Sequence, residues 1–134
     1  ALDRIRTAKD TLCPSRYLAS RITELGGTGR MYFFNRQRSG RGGVALGAYH
    51  GAEIPYVFNT HDDWLPTEDI DRSLTDAVMD YWLSFAKSGN PNVKGRPVWP
   101  VFSELESEVM ELGDRVGAFT PEDQLLCEVL GPKH

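Results

Sequence analysis

The clearest periodicity in the chain lies over residues 74–86. Leu74, Ala77, Val78, Tyr81, Trp82, Phe85 and Ala86 recur at i, i+3, i+4 spacing there. That spacing lines one face of a helix with apolar side chains and predicts a helix over 74–86. Ser73 with Asp76 resembles a capping pair at its start, Lys87 suits the negative end of the dipole, and Gly89-Asn90-Pro91 stops it. A second helix is read after Pro14, with Ser15 as N-cap, Leu18, Ile22 and Leu25 on one face, and Gly26 and Gly27 as terminators. Residues 31–34 form an apolar and aromatic run bounded by Gly29 and polar residues, which reads as a short buried strand. Residues 109–112 read as another strand and 121–130 as a closing helix. Residues 36–50 read as a loop, and Pro91, Pro97 and Pro100 make 91–100 an irregular connection. Strand, helix and strand in succession predict a mixed α/β fold.

Bulk properties narrow the class without choosing a function. A chain of 134 residues suits a single domain over 1–134. A net charge of -4 offers no general attraction for nucleic acid or anionic lipid. No apolar stretch reaches the ~18 residues expected of a membrane span, and the opening ALDRIRTAKD has no apolar signal core. The first residue is Ala rather than Met, which implies processing or a longer parent chain. Cys13 and Cys127 lie too far apart for a C-x-x-C redox or zinc motif. They are either two separate buried thiols or one bridge between the ends, and composition does not choose.

Three histidines are the candidates for chemistry. His134 is terminal. His61 stands in HDD beside Asp62 and Asp63, but that spacing lacks the helix register of H-E-x-x-H and acidic loops are ordinarily solvated, so no metal is assigned. His50 differs from both. It sits in GAYHGAEIPYVF, where Gly47, Ala48, Gly51 and Ala52 clear space on both sides of the ring. An imidazole needs such room if something other than the protein must reach it, although a histidine in a loop is more often structural. The biased stretch RQRSGRGG lacks interleaved aromatics and reads as a flexible surface loop. Ser39 makes no nucleophile elbow, because Gln37 stands where G-x-S-x-G needs glycine, and no other serine has flanking glycines. There is no phosphate-binding G-x-x-x-x-G-K-[ST] either.

These residues taken together resemble a known family. GAYHGAEIPYVF is similar to the catalytic-histidine segment of type B carboxylesterases, the α/β-hydrolases that include cholinesterases and bacterial para-nitrobenzyl esterases. AKDTLCPSRYLA resembles the helix before the strand that leads to that loop, and RMYFFNRQ resembles the strand. MDYWLSFAKSGNPN followed by WPVF is similar to the family's helix, G-N-P-N turn and W-P segment, while VMELGD and LLCEVL resemble its last strand and terminal helix. The likeness covers nearly the whole chain in family order.

The resemblance implies the C-terminal part of an α/β-hydrolase: a few strands with flanking helices and an incomplete sheet. It implies a carboxylic ester hydrolase with no cofactor and no metal, acting on a small-molecule ester. The triad runs Ser, Asp or Glu, then His along such chains, so His50 would be its last member. Asp10 and Glu24 fall in segments whose counterparts are not the acid, and Glu53 is carried over only in a supporting, buried role. The nucleophile and acid would lie outside the 134 residues, leaving this chain inactive alone. Gly42 stands near the position where cholinesterases carry a tryptophan, so the missing cation–π face favours uncharged esters. Cys13 and Cys127 match family cysteines that pair, which implies a disulfide and a secreted or periplasmic setting. Expected partners are the remaining N-terminal part of the hydrolase or a second copy, with no nucleic acid and no membrane. The alternatives are a non-catalytic esterase-like binding or adhesion module, or a small independent interaction domain.

Overall fold

The computed structural model of the chain describes residues 2–122 and 124–130, so His134 lies outside the described residues. Residues divide into two compact units. One comprises the described residues up to Tyr32, Pro100–Met110 and those from Ala118 onward; the other comprises Phe33–Trp99 and Glu111–Gly117. The strands β1 (Tyr32–Phe34), β2 (Val109–Leu112) and β3 (Val116–Phe119) form one open sheet in the order β1-β2-β3. Met110 donates to Met31 and Asn35 donates to Leu112, so β1 and β2 rise together and are parallel. The three-residue turn from β2 to β3 makes the second pair antiparallel. The sheet is therefore mixed, as suits part of an α/β-hydrolase.

The first unit opens with α1 (Leu2–Thr7), which widens into a π-helical segment at Ala8–Leu12 before α2 (Cys13–Glu24). Cys13 N–H bonds back to the Ala8 carbonyl, and Pro14 next to it has no N–H with which to continue an i→i−4 ladder. The helical run is thus continuous through Ser15, which is not an N-cap. The buried face of α2 is Cys13, Arg16, Ala19 and Ser20. Ala19, a small side chain on that face, clusters with Met31, Phe102 and Val109, with Leu12 and Phe119 packed around them. The apolar stripe of Leu18, Ile22 and Leu25 is 61%, 41% and 78% exposed, so in this chain it is not the core face. Buried Arg16 reaches Glu104 at 2.8 Å and Ser107 at 3.3 Å, and its guanidinium lies 5.3 Å over the Phe102 ring. Cys13 and Cys127 on α6 (Gln124–Leu130) form a disulfide, with Cα atoms 5.2 Å apart.

The second unit is built around α5 (Asp69–Ser88), which starts five residues earlier than its apolar stripe. Ser73 and Asp76 are therefore interior. The start is set by Asp71, whose Oδ2 accepts the Glu68 N–H at 2.9 Å. Gly89, at φ 73°, ends the helix. Leu74, Ala77, Val78 and Tyr81 are buried, whereas Phe85 is 56% exposed. Tyr81 donates to the Pro97 carbonyl at 2.8 Å and meets Trp99 edge-on at 5.4 Å. The proline-rich connection is tied down by Asn92, whose side chain accepts from Trp99 N–H at 2.7 Å and donates to the Trp99 carbonyl at 3.3 Å.

Two expectations about this region need correction. The strand β1 is not buried: Tyr32 and Phe33 are 40% and 42% exposed, because β1 is an edge strand and only Met31 before it faces the core. Residues 36–50 are not loop throughout, and RQRSGRGG is not a flexible surface segment. They contain α3 (Gly40–Leu46), and Arg36 and Arg38 are each 7% exposed. A Cβ on Gly43 would lie 2.0 Å from the Arg38 carbonyl, so glycine is what lets α3 fold back onto that segment.

Candidate active site

His50 is held by a sequence of backbone turns rather than by a side-chain partner. The helix α3 ends at Gly47, whose N–H bonds to the Gly43 carbonyl at 2.9 Å and whose φ of 60° and ψ of -152° suit only glycine. Ala52 N–H then closes on the Tyr49 carbonyl at 3.0 Å. Gly51 has φ 87°, while His50 is not among the non-glycine residues of positive φ. These angles define a type II turn with His50 at its second position and Gly51 at its third. The glycines beside His50 thus have a backbone reason beyond the room they leave. The imidazole sits on an exposed corner of this turn.

The turn leads directly into α4 (Ile54–Phe58), which is short and capped by Asn59 in the left-handed region. Ile54 N–H bonds to the Gly51 carbonyl at 3.1 Å, and the Glu53 carbonyl accepts from Tyr56 at 2.9 Å and Val57 at 3.1 Å. Glu53 is half-buried and contributes its backbone to the helix start. A Cβ on Gly42 would meet Leu65 at 3.2 Å and Trp64 at 4.0 Å, so the space beside that position is filled by this chain's own side chains.

Behind α4 lies a buried polar network that sequence reading passed over. Tyr56, 1% exposed, donates its hydroxyl to Asp71 Oδ1 at 2.7 Å. Arg36 grips both oxygens of the same carboxylate, Nε at 2.7 Å and Nη2 at 3.2 Å, and also reaches Asp114 at 2.8 Å and Glu68 at 3.4 Å. Burial alone would raise the Asp71 pKa, but the hydrogen bonds from Arg36, Tyr56 and the Glu68 N–H outweigh it and hold it at about 2. Burial and the neighbouring Asp71 carboxylate push the Tyr56 hydroxyl up to about 12. A second branch runs from Arg38, whose Nη2 donates to His61 Nδ1 and, at 2.9 Å, to Thr67 Oγ1. His61 Nε2 lies 2.7 Å from Thr75 Oγ1, and Thr75 donates in turn to the Asp71 carbonyl at 2.7 Å. Both ring nitrogens of His61 are therefore engaged within the protein. Two arginines at i, i+2 just after a strand, on one side of an extended segment, were the signal available for this network.

The described residues contain no group of three or more His, Cys, Asp or Glu side chains able to hold a metal ion. No described helix is long and apolar enough to cross a membrane.

Comparison with known proteins identifies the family. The profile of the Carboxylesterase family matches residues 1–125. The chain is 38% identical over 61 residues to "Cocaine esterase" of Homo sapiens, covering 44% of this chain and 11% of that protein. It is 32% identical over 80 residues to "Carboxylesterase 4A" of Bos taurus, covering 59% of this chain and 14% of the relative. With "Acetylcholinesterase 1" of Caenorhabditis elegans it shares 28% identity over 120 residues, 84% of this chain and 19% of the relative. The chain thus spans less than a fifth of the length of these relatives. With a family match over nearly all its residues, a mixed open sheet and a disulfide between Cys13 and Cys127, the chain belongs to the carboxylesterase family.

Proposed function

We propose that this chain supplies the triad histidine, His50, to a serine carboxylesterase whose nucleophile and acid lie outside these 134 residues. The observation that carries the reading is an exposed imidazole at the corner of a type II turn, in a chain of this family. From that corner a neutral His50 would accept the proton of the serine hydroxyl as its oxygen attacks an ester carbonyl. It would return the proton to the leaving alcohol, then repeat both roles with water to release the acid. No serine in the chain has the G-x-S-x-G surroundings of a nucleophile, so the chain alone has no hydroxyl positioned for activation.

Uncharged esters are the proposed substrates, because position 42 is glycine and its surroundings are already packed. The remaining N-terminal part of the hydrolase is the proposed partner, and the exposed stripe of Leu18, Ile22 and Leu25 supports the need for one. Self-association would cover the same surface when that part is absent. The disulfide supports a secreted or periplasmic setting.

A serine-reactive phosphonate tests the core of the reading. In the full-length protein it is expected to label one serine outside residues 1–134, and the isolated chain is expected to hydrolyse aryl esters no faster than a histidine-containing control peptide. Stoichiometric labelling of a serine within this chain would overturn the assignment. An unlabelled full-length protein without esterase activity would favour a non-catalytic binding module.

A further inference from the structure

The HDD stretch is left over from the assignment of His50, and its histidine is deeply committed to the fold. An arginine guanidinium only donates, so the Arg38 contact requires a lone pair on His61 Nδ1. A neutral ring then carries its proton on Nε2, and that N–H points at Thr75 Oγ1, 2.7 Å away. Thr75 is free to accept it because its own proton goes to the Asp71 carbonyl. The hydrogen-bond pattern is thus complete only for neutral His61 in the Nε2–H form. A second proton on Nδ1 would set one donor against another.

Arg38 depends on this acceptor. Its Nη2 donates to His61 and Thr67, and its Nε is buried without a protein acceptor among the described residues. Its guanidinium lies 5.7 Å over the ring of Tyr56, which itself meets His61 edge-on at 4.9 Å. Arg38 also helps line a small cavity, about 10 Å³, with Gly47, Tyr49, Ala52 and Tyr56. Tyr49 and Ala52 close the turn whose second residue is His50. Arg38 therefore shares this cavity with Tyr49 and Ala52, the first and last residues of the His50 turn.

We propose that Arg38 is a positioning residue for the His50 turn and that neutral His61 is the acid-labile latch holding it there. The proposal rests on the reading of His50 as the triad base. The charged groups facing His61 are Arg38 from the segment after β1, Asp71 and Arg72 from α5, and Asp62 beside it in the loop; Tyr56 of α4 packs on the ring. Burial and then Arg38 lower the His61 pKa, with Arg72 acting the same way, while Asp71 and Asp62 oppose them. Acid would therefore release the latch only below the pH at which a solvated histidine protonates.

Two measurements on the full-length protein test this. Ring 15N shifts of His61 are expected to show the neutral Nε2–H form at pH 7; the Nδ1–H form or an imidazolium would overturn the latch whether or not the protein is an esterase. In ester hydrolysis, His61→Ala and Arg38→Gln are expected to lower kcat at pH 8 by tenfold or more, with KM within threefold. His61→Gln, which keeps one acceptor and one donor but cannot protonate, is expected to restore kcat and to make the acid limb less steep than in the wild type. If His61→Gln and wild type show the same acid limb and Arg38→Gln keeps kcat within twofold, the positioning role is wrong. If instead His50→Ala retains full activity, the reading of His50 has failed rather than the latch.

Discussion

At the scale of single residues, the chemistry proposed for this chain rests on one imidazole and the backbone beneath it. Replacement of His50 by alanine in the full-length protein is expected to lower kcat by about 10⁴- to 10⁶-fold, since loss of a triad member leaves only binding and the oxyanion hole to assist. Retention of a tenth of the wild-type turnover would remove His50 from the triad. Gly51 offers a separate check on the turn. At φ 87° a side chain is strained, so Gly51→Ala is expected to cost about 1–2 kcal/mol of stability, read as a lowered midpoint in urea. A midpoint unchanged from the wild type would mean that the turn adopts another form in solution.

At the scale of elements, α4 and α5 are joined through Asp71, which is fully buried and accepts from Arg36, Tyr56 and the Glu68 N–H. Removing one partner of a buried ion pair leaves the other uncompensated, a loss of 3–5 kcal/mol as a rule. Arg36 keeps Asp114 and Glu68, so Asp71→Asn is expected near the lower end, about 3 kcal/mol. The carboxyl titrates at about 2 in the folded chain, below its ordinary value of 3.8. Its contribution is therefore complete above about pH 4 and is lost as pH falls towards 2. Thermal melts between pH 5 and 2 are expected to show this loss in the wild type and a flatter profile in Asp71→Asn. Equal slopes in the two proteins would show that other carboxylates govern the acid transition.

At the scale of the whole chain, two features act beyond any one element. The Cys13–Cys127 bridge closes a sequence separation of 114 residues. For a loop of that length the chain-entropy account gives about 4–5 kcal/mol of stabilisation, less any strain. Reduction, or Cys127→Ser, is expected to lower the melting temperature clearly; an unchanged melt would mean that the reduced chain retains the constraint by packing alone. The second feature is the exposed face of α2. Leu18 and Ile22 help line a groove of about 390 Å³ with Met31 and Tyr32. A groove this apolar beside an edge strand invites association. The isolated chain is expected to self-associate in light scattering and to bind a dye for apolar surface, whereas a monodisperse, dye-silent monomer would contradict a missing partner.

What the sequence determined by itself was mostly local. The α5 stripe, the proline-rich connection and the strand at 109–112 are legible because apolar patterning and missing N–H groups act within a few residues of themselves. The family likeness, including the cysteine pair, was legible for a different reason: its motifs are contiguous and keep their order. Tertiary structure decided the rest. Residues 36–50 read as a loop, yet they contain α3, where the missing Cβ lets Gly43 approach the Arg38 carbonyl. Leu18, Ile22 and Leu25 form a helical stripe in either case, but which face is covered depends on what packs against it, and here smaller residues face the core. Arg36 and Arg38 read as a flexible surface loop and the HDD stretch around His61 as a solvated one, because charged residues are mostly exposed and a sequence does not show the partners that allow burial. Only the fold brings the two arginines onto a carboxylate, a histidine and a tyrosine from distant segments, and only that pairing makes their burial tolerable.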